Sequence, residues 1–178
     1  MAIYFFTPFA LDMNLGAAYN HYMTLLPNDD DWACFLDGDT MFLTPDWGKL
    51  IEETVSLFPN TGMFTCYTNR VNNHQQLFNG KISETRDIIS HRNIAKVCKE
   101  LHRKKTKLLT RTISGLMIII QKKTWREFPF RDGLLGVDTD ISQRLLHAGK
   151  EIRLIESVYL LHYYRLTEGK SYKKHLQK

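Results

Sequence analysis

The chain of 178 residues is long enough for one domain with a sizeable core, and its 43% hydrophobic and 24% charged residues exclude a disordered chain. The formal net charge of +5 indicates an anionic partner, such as a nucleotide, an acidic membrane surface or nucleic acid. No apolar run reaches the length of a membrane span, and three widely spaced cysteines without a CxxC pair disfavour a zinc site or a disulfide framework. A reducing, cytoplasmic setting is therefore expected.

The first predicted strand is Ile3–Phe6, an apolar run that ends at Thr7 and Pro8. Proline has no amide hydrogen and forces the preceding residue into an extended conformation, so the strand cannot continue through it. A helix is predicted from Asn14 to Leu26, because apolar residues recur there at helical spacing. A helix that begins just after a strand is a natural site for an anion.

The most informative stretch is Trp32–Leu43, in which five apolar residues run into Asp37, Gly38 and Asp39 and apolar residues follow. This pattern predicts a strand buried on both faces, and in open α/β sheets ligands bind beyond the carboxyl ends of such strands. In extended geometry the two carboxylates point to one side, and the glycine allows unusual backbone angles. The pair suits a divalent cation that carries phosphates, and the alternative is a plain turn.

Three further segments surround this stretch. Asn28–Asp31 is an acidic loop at the opposite end of the same strand, roughly 17–20 Å from Asp37 at the rise of a strand, and is predicted to be a solvated turn. Gly62–Tyr67 is predicted to be another strand. The polar segment Thr68–Lys81 is predicted to be a surface loop.

A long basic helix is predicted over residues 84–107, with its basic side chains directed outward. Such a charge run is usually a solvated face, and the alternative is peripheral contact with an anionic membrane. Binding of nucleic acid is disfavoured, because the run lacks interleaved aromatic residues and any recognised DNA- or RNA-binding motif. Residues 166–178 are expected to form a mobile basic tail after a single domain of residues 1–165.

The last third of the chain contains a second acidic group and a histidine. Thr112–Gln121 reads as a second central strand, and Asp138 stands where the cap of a following helix belongs, which alone would explain it. Two strands are then predicted, Glu151–Ile155 and Ser157–Tyr163. His162 follows apolar residues in the second of them, either as an ordinary satisfied residue or as a metal ligand.

Three motifs resemble the glycosyltransferases of the GT-A fold, especially the family 2-like group. The sequence FLDGDTMFL around Asp37 resembles their DxD motif, and the Asn14–Asn20 stretch is similar to the N-x-G pattern that precedes it. Residues 136–149 resemble their Gly-Glu-Asp-x-Asp segment and its helix, with Val137 in place of the usual glutamate. The family's second strand, with its base-binding acid, is absent, so the chain is a short variant.

The resemblance implies an α/β domain with a mixed, mostly parallel central sheet flanked by helices. It implies transfer of a sugar, with inversion, from a UDP- or GDP-sugar to a hydroxyl of a glycan, lipid or protein. Asp138 would be the general base, and Asp37, Asp39 and His162 would hold Mn²⁺ or Mg²⁺. The residues implied to line the donor site are Thr7, Pro8, Asn14, Gly16, Asn20, Asp37, Gly38 and Asp39, although Gly16 and Asn20 fit packing and capping roles equally well.

The sequence allows two other interpretations of its function. The segment from Phe35 to Thr40 is also similar to the start of haloacid-dehalogenase phosphatases, although Met41 stands where that family has Thr or Val. Nucleotidyl transfer would need the same geometry of metal and phosphate. The alternative outside enzymology is a module that binds a nucleotide or a membrane without catalysis.

Overall fold

The computed structural model describes residues 1–133 and 136–163. The described residues form seven strands and five α-helices. In chain order these are β1 Ile3–Phe6, α1 Leu15–Thr24, β2 Trp32–Leu36, β3 Thr40–Phe42, α2 Trp47–Leu57, β4 Met63–Thr68, α3 Ile88–His102, β5 Thr106–Leu109, β6 Met117–Gln121, α4 Lys122–Glu127, α5 Val137–His147 and β7 Ile152–His162. The expected tail, residues 166–178, lies outside the described part of the chain.

The strands form one mixed sheet in the order β1-β2-β6-β4-β7-β3, and β5 also pairs with β7. The α/β class and the mixed sheet are confirmed, but the expectation of mostly parallel strands is wrong. Only β1 with β2 and β4 with β7 run parallel, whereas the other four pairings are antiparallel. An unbroken apolar strand shows that both faces are covered, but it carries no information on the direction of its neighbours.

Strand β2 is buried on both faces, as its sequence predicts. Ala33 and Phe35 join a core with apolar residues of α1 and α5, while Trp32 and Cys34 join a second core with apolar residues of α2. Alternation of side chains along the strand sends neighbouring residues to opposite faces. The helices therefore cover the sheet from both sides and leave the ends of the strands as its open rim.

Strand β7 is one long strand where the sequence indicated two. Its first residues pair with β5 and its last residues with β3, and the pairing with β4 shifts register between Cys66 and Tyr67. In a flat sheet β2 and β3 would lie four strand spacings apart, about 19 Å. The chain from Leu36 to Thr40 spans at most about 14 Å. The last part of β7 must therefore bend across the end of the sheet toward β2.

The predicted long helix is shorter than expected. It spans Ile88–His102, and the chain then turns at Lys104, which has a positive φ of 61°, into the edge strand β5. A lysine in this conformation ends helical geometry. None of the helices in residues 1–133 and 136–163 combines the length and apolar character that crossing a bilayer requires.

Candidate functional site

A tight turn at the end of β2 carries Asp37 and Asp39, the acidic pair of the first motif. The amide of Asp37 donates to the carbonyl oxygen of Leu116 at 3.1 Å, and the carbonyl of Asp37 accepts from the hydroxyl of Thr40 at 2.7 Å. This turn replaces the extended geometry expected from the sequence. Gly38 is not among the glycines with a positive φ, so the turn does not use the unusual backbone angles that a glycine allows.

The bend of β7 brings His162 to this turn. Thr40 pairs with His162 across the β3–β7 ladder, and the amide of Tyr163 donates to the carbonyl oxygen of Asp39 at 2.8 Å. One ligand atom each from Asp37, Asp39 and His162 lies within 4.8 Å of the other two. Residues more than 120 positions apart thus share one small volume, as the metal prediction requires.

The hydrogen bonds of His162 fix which nitrogen faces the acids. Its Nδ1 lies 3.0 Å from the carbonyl oxygen of Arg70, and because a carbonyl only accepts, Nδ1 carries the hydrogen. In the neutral ring Nε2 is then an acceptor, and it lies 3.6 Å from Oδ1 of Asp39, a second acceptor. Ligating histidines usually donate their other N–H in this way. Two carboxylates and such an imidazole fit Mn²⁺, and the carboxylates alone fit Mg²⁺.

Asn69 holds the backbone that carries this histidine, a role that sequence reasoning missed. Its side-chain oxygen accepts from the amide of His162 at 2.8 Å, and its amide group donates to the carbonyl of His162 at 3.2 Å and of Ser83 at 3.3 Å. The prediction that Thr68–Lys81 is a surface loop is wrong here, since Asn69 is only 1% exposed. A buried amide is held because its donors and acceptors are all paired.

Asp138 lies in the first turn of α5 and is fixed by backbone amides. Its Oδ2 accepts from the amide of Gly115 at 2.7 Å, and its Oδ1 accepts from the amide of Thr139 at 2.8 Å. A side chain on Gly115 would meet the Asp138 Cβ at 2.8 Å, so only glycine allows this approach. The expected N-cap role of Asp138 is wrong, because Gly136, with a φ of 80°, caps the helix instead.

Gln76 is a second buried amide that the sequence did not single out. It donates to the carbonyl of Ser114 at 3.0 Å and accepts from the amide of Ser114 at 2.7 Å, and it also donates to the hydroxyl of Thr65. The next residue, Gly115, is the one whose amide binds Asp138. Gln76 therefore positions the loop that positions the carboxylate.

The acids of the two motifs affect one another electrostatically. Burial, together with the negative charges of Asp39 and Asp138, raises the pKa of Asp37 to about 7. Burial raises the pKa of Tyr19 as well, again with contributions from Asp37 and Asp138. A carboxylate whose charge raises a neighbour's pKa lies close to it, and groups with raised pKa values cluster at functional sites. The structure therefore places Asp138 at the same rim as the candidate metal ligands.

A polar cavity of about 310 Å³ adjoins Asp138. Its walls are Asn72, Asn73, Arg111, Thr112, Ile113, Ser114, Asp138 and Thr139. All but one of these side chains carry hydrogen-bonding groups, which suits a ligand rich in hydroxyl groups. The cavity opens beside the side chain of Asp138.

The Asn14–Asn20 stretch anchors the segment before α5. The side-chain oxygen of Asn14 accepts from the amides of Ala17 and Gly133, and a side chain on Gly16 would collide with the carbonyl oxygen of Arg131.

Asn20 acts on the same segment. Its amide donates to the carbonyl of Phe130 at 2.7 Å, and its oxygen accepts from the indole of Trp125 at 2.7 Å and from the amide of Phe130 at 3.0 Å. These contacts match the packing and capping alternative for Gly16 and Asn20, and donor binding by this stretch stays a prediction.

Thr7 lies beside the acidic turn. A Cβ built on Gly38 would stand 3.7 Å from the Thr7 methyl group, which is an ordinary contact. Pro8 follows at the same rim, because β1 and β2 run parallel in register. Both residues therefore lie near the two carboxylates, and their contact with a nucleotide stays a prediction.

No protein-family model matches the chain, and no curated protein or solved structure matches it. The resemblance to GT-A glycosyltransferases therefore depends on the motifs of the sequence, and the activity it implies stays a prediction.

Proposed function

We propose that the chain is a metal-dependent glycosyltransferase that moves a sugar from a UDP- or GDP-sugar to an acceptor hydroxyl, with inversion. The observation that supports this most is the meeting of two motifs at one rim. Ligand atoms of Asp37, Asp39 and His162 lie within 4.8 Å of one another, and Asp138 is close enough to raise the pKa of Asp37. Negative charge gathered in this way favours a bound cation.

The three ligands would hold the ion, which when bound supplies charge stabilisation to the departing nucleoside diphosphate. Asp138 would take the proton of the acceptor hydroxyl. A carboxylate has about four lone-pair positions, and backbone amides of Gly115 and Thr139 use two of them on Asp138. The remaining positions are available to the hydroxyl, and the two amides hold the carboxylate in one direction, as a general base requires.

The proposal is tested by melting the protein with Mn²⁺ alone, with UDP or GDP alone, and with both together. We expect Mn²⁺ with one of the nucleotides to raise the melting temperature more than the two separate effects combined, because the diphosphate binds through the ion. Asp39→Asn should remove this cooperative increase. Asp30→Asn, at the opposite end of β2, is the matched control and should retain it.

If no combination changes the melting temperature, the protein does not bind a nucleotide through a metal ion, and this part of the proposal is wrong. Assays with UDP- and GDP-sugars, sugar phosphates and nucleoside triphosphates then separate the enzyme classes. Release of UDP or GDP from the nucleotide-sugar supports the glycosyltransferase. Release of inorganic phosphate from a sugar phosphate supports the phosphatase, and release of pyrophosphate supports nucleotidyl transfer.

A further inference from the structure

The net charge of the chain is concentrated in one segment. Residues 84–107 contain eight basic and three acidic residues, an excess of +5 that equals the formal net charge of all 178 residues. Helix α3 occupies most of this segment. A local excess of this size creates a surface that attracts anionic partners.

Helix α3 buries only one narrow face. His91, Ala95 and Cys98 pack toward β7 and are at most 1% exposed. His91 also contacts the hydroxyl of Tyr159 at 2.7 Å, which fixes the helix on the strand. Most of the other residues of the helix are exposed to solvent.

The open surface carries large apolar side chains. Ile89 is 69% exposed, Leu101 61% and Val97 38%. Val97 and Leu101 lie one turn apart, on one flank of the helix. Large apolar residues that remain exposed on a regular helix are available to a partner.

The other flank carries a basic stripe. Arg92, Lys96, Lys99 and Arg103 follow one another at helical spacing. Lys99 pairs with Asp46 at 2.8 Å. Arg92, Lys96 and Lys99 line a cavity of about 330 Å³ against the loop that begins α2. Glu100 of the same helix also lies at this surface, with its carboxylate 3.8 Å from the Lys96 ammonium.

We propose that the open face of α3 docks on an anionic phospholipid bilayer. Ile89, Val97 and Leu101 would enter the interface between headgroups and acyl chains, while Arg92 and Lys96 contact lipid phosphates. A helix with an apolar flank beside a basic flank lies in the plane of a bilayer surface in this way. Long basic side chains bury their stems along apolar surface and keep the charge at the headgroups.

Other occupants fit this face less well. A second copy in a symmetric dimer would bring the same basic stripe against itself, which like charges oppose. A nucleic acid would contact the basic side chains of α3 through its phosphates, but it would leave Ile89 and Leu101 without an apolar partner. An acidic protein would fit a groove with aromatic anchors better than this convex helix, whose exposed apolar side chains are aliphatic.

Docking would place the candidate site at the bilayer. Helix α3 begins near the rim, where its His91 contacts Tyr159, three residues before His162, and it runs back along β7 toward Ile155. The rim then lies beside the lipid surface. This proposal does not depend on the glycosyltransferase activity.

The test is sedimentation of the full chain with phosphatidylcholine vesicles, with and without phosphatidylglycerol. We expect binding to the anionic vesicles only, and we expect salt to weaken it. Arg92→Ala with Lys96→Ala should lower the partition coefficient by roughly thirtyfold, since each basic group near the surface contributes to the attraction. Val97→Ser with Leu101→Ser should lower it by about tenfold. Glu100→Lys should raise it.

Lys123→Ala with Arg126→Ala is the control, because it removes the same charge from α4. It should leave the partition coefficient within about twofold of the original, and melting curves check that every variant folds. Equal binding to neutral vesicles, equal loss in the control, or no vesicle binding at all would overturn the proposal. Competition by inorganic phosphate at concentrations equal to the lipid would also overturn it, because it would identify a free-phosphate site instead of a lipid surface.

Discussion

The two ends of β2 carry acidic residues in opposite situations. At its start Asp31 is 1% exposed, and its carboxylate accepts from the amide of Ala2 at 2.8 Å and from the side chain of Asn28 at 2.9 Å. Burial alone would raise the pKa of Asp31, but these hydrogen bonds outweigh it and hold the pKa below its usual value. The prediction that Asn28–Asp31 is a solvated turn is therefore wrong for Asp31.

At the other end of the strand, burial and the charges of Asp39 and Asp138 together raise the pKa of Asp37 to about 7. Both acids stand next to the same apolar run, so their identity and neighbours in sequence do not separate them. What separates them is the surrounding groups, which are hydrogen-bond donors at Asp31 and other carboxylates at Asp37. The donors around Asp31 fit a structural role, whereas the carboxylates around Asp37 fit a site for a cation.

The largest expected effect is at the rim. Asp138→Asn should lower the rate of sugar transfer by about 10²–10⁴-fold, because an amide cannot take the acceptor proton. Binding of the nucleotide with Mn²⁺ should be retained. Asp140→Asn is the matched control in the same helical turn, since its carboxylate pairs with Arg131 and Arg144. Transfer rates are measured with the preferred nucleotide-sugar. Undiminished transfer by Asp138→Asn would show that Asp138 is not the general base.

Asp37→Asn should separate stability from metal binding. Removing a charge that Asp39 and Asp138 oppose should raise the melting temperature of the metal-free protein by about 2 °C or more. The same change should abolish the rise that Mn²⁺ produces in the original protein. Melting curves with EDTA and with Mn²⁺ measure both effects. A lower melting temperature in EDTA would show that Asp37 is structural, as Asp31 is.

Asp31→Asn should destabilise the fold by about 2 kcal/mol at neutral pH, because the new amide group points a donor at existing donors. The lowered pKa of Asp31 means that its stabilisation is complete above the unfolded value of 3.8 and is lost as pH falls below it. The difference between the two proteins should therefore shrink under acidic conditions. Urea unfolding at neutral and at acidic pH measures it, and a constant difference would contradict the argument.

The smallest effect is expected for Asp30→Asn, one residue earlier. Its side chain is 76% exposed and lies 3.8 Å from the ammonium of Lys123. Exposed ion pairs of this kind contribute at most about 1 kcal/mol to stability. The free energy of unfolding measured in urea should therefore fall by less than half of that. A loss as large as that of Asp31→Asn would mean that the whole loop, not one buried carboxylate, fixes the start of β2.

Much of the candidate site was predictable because its parts are local. An apolar run followed by two acids places Asp37 and Asp39 at a strand end, and the helical pattern after residue 136 places Asp138 near the start of a helix. The roles of Asn69 and Gln76 were not predictable. Each is an amide whose partners lie far away in the chain, at Asn69 as far as residue 162. A polar residue in a polar stretch looks the same whether it is buried or exposed.

The sequence by itself determined the α/β class, the burial of β2 on both faces and the acids at its end, because apolar periodicity and turn chemistry act between near neighbours. Only the tertiary structure decided the strand directions, the bend of β7 and the approach of His162 and Asp138 to the acidic turn. These depend on how segments more than a hundred residues apart pack, and a three-residue connection from β2 to β3 forces the bend only once both strands have found their partners.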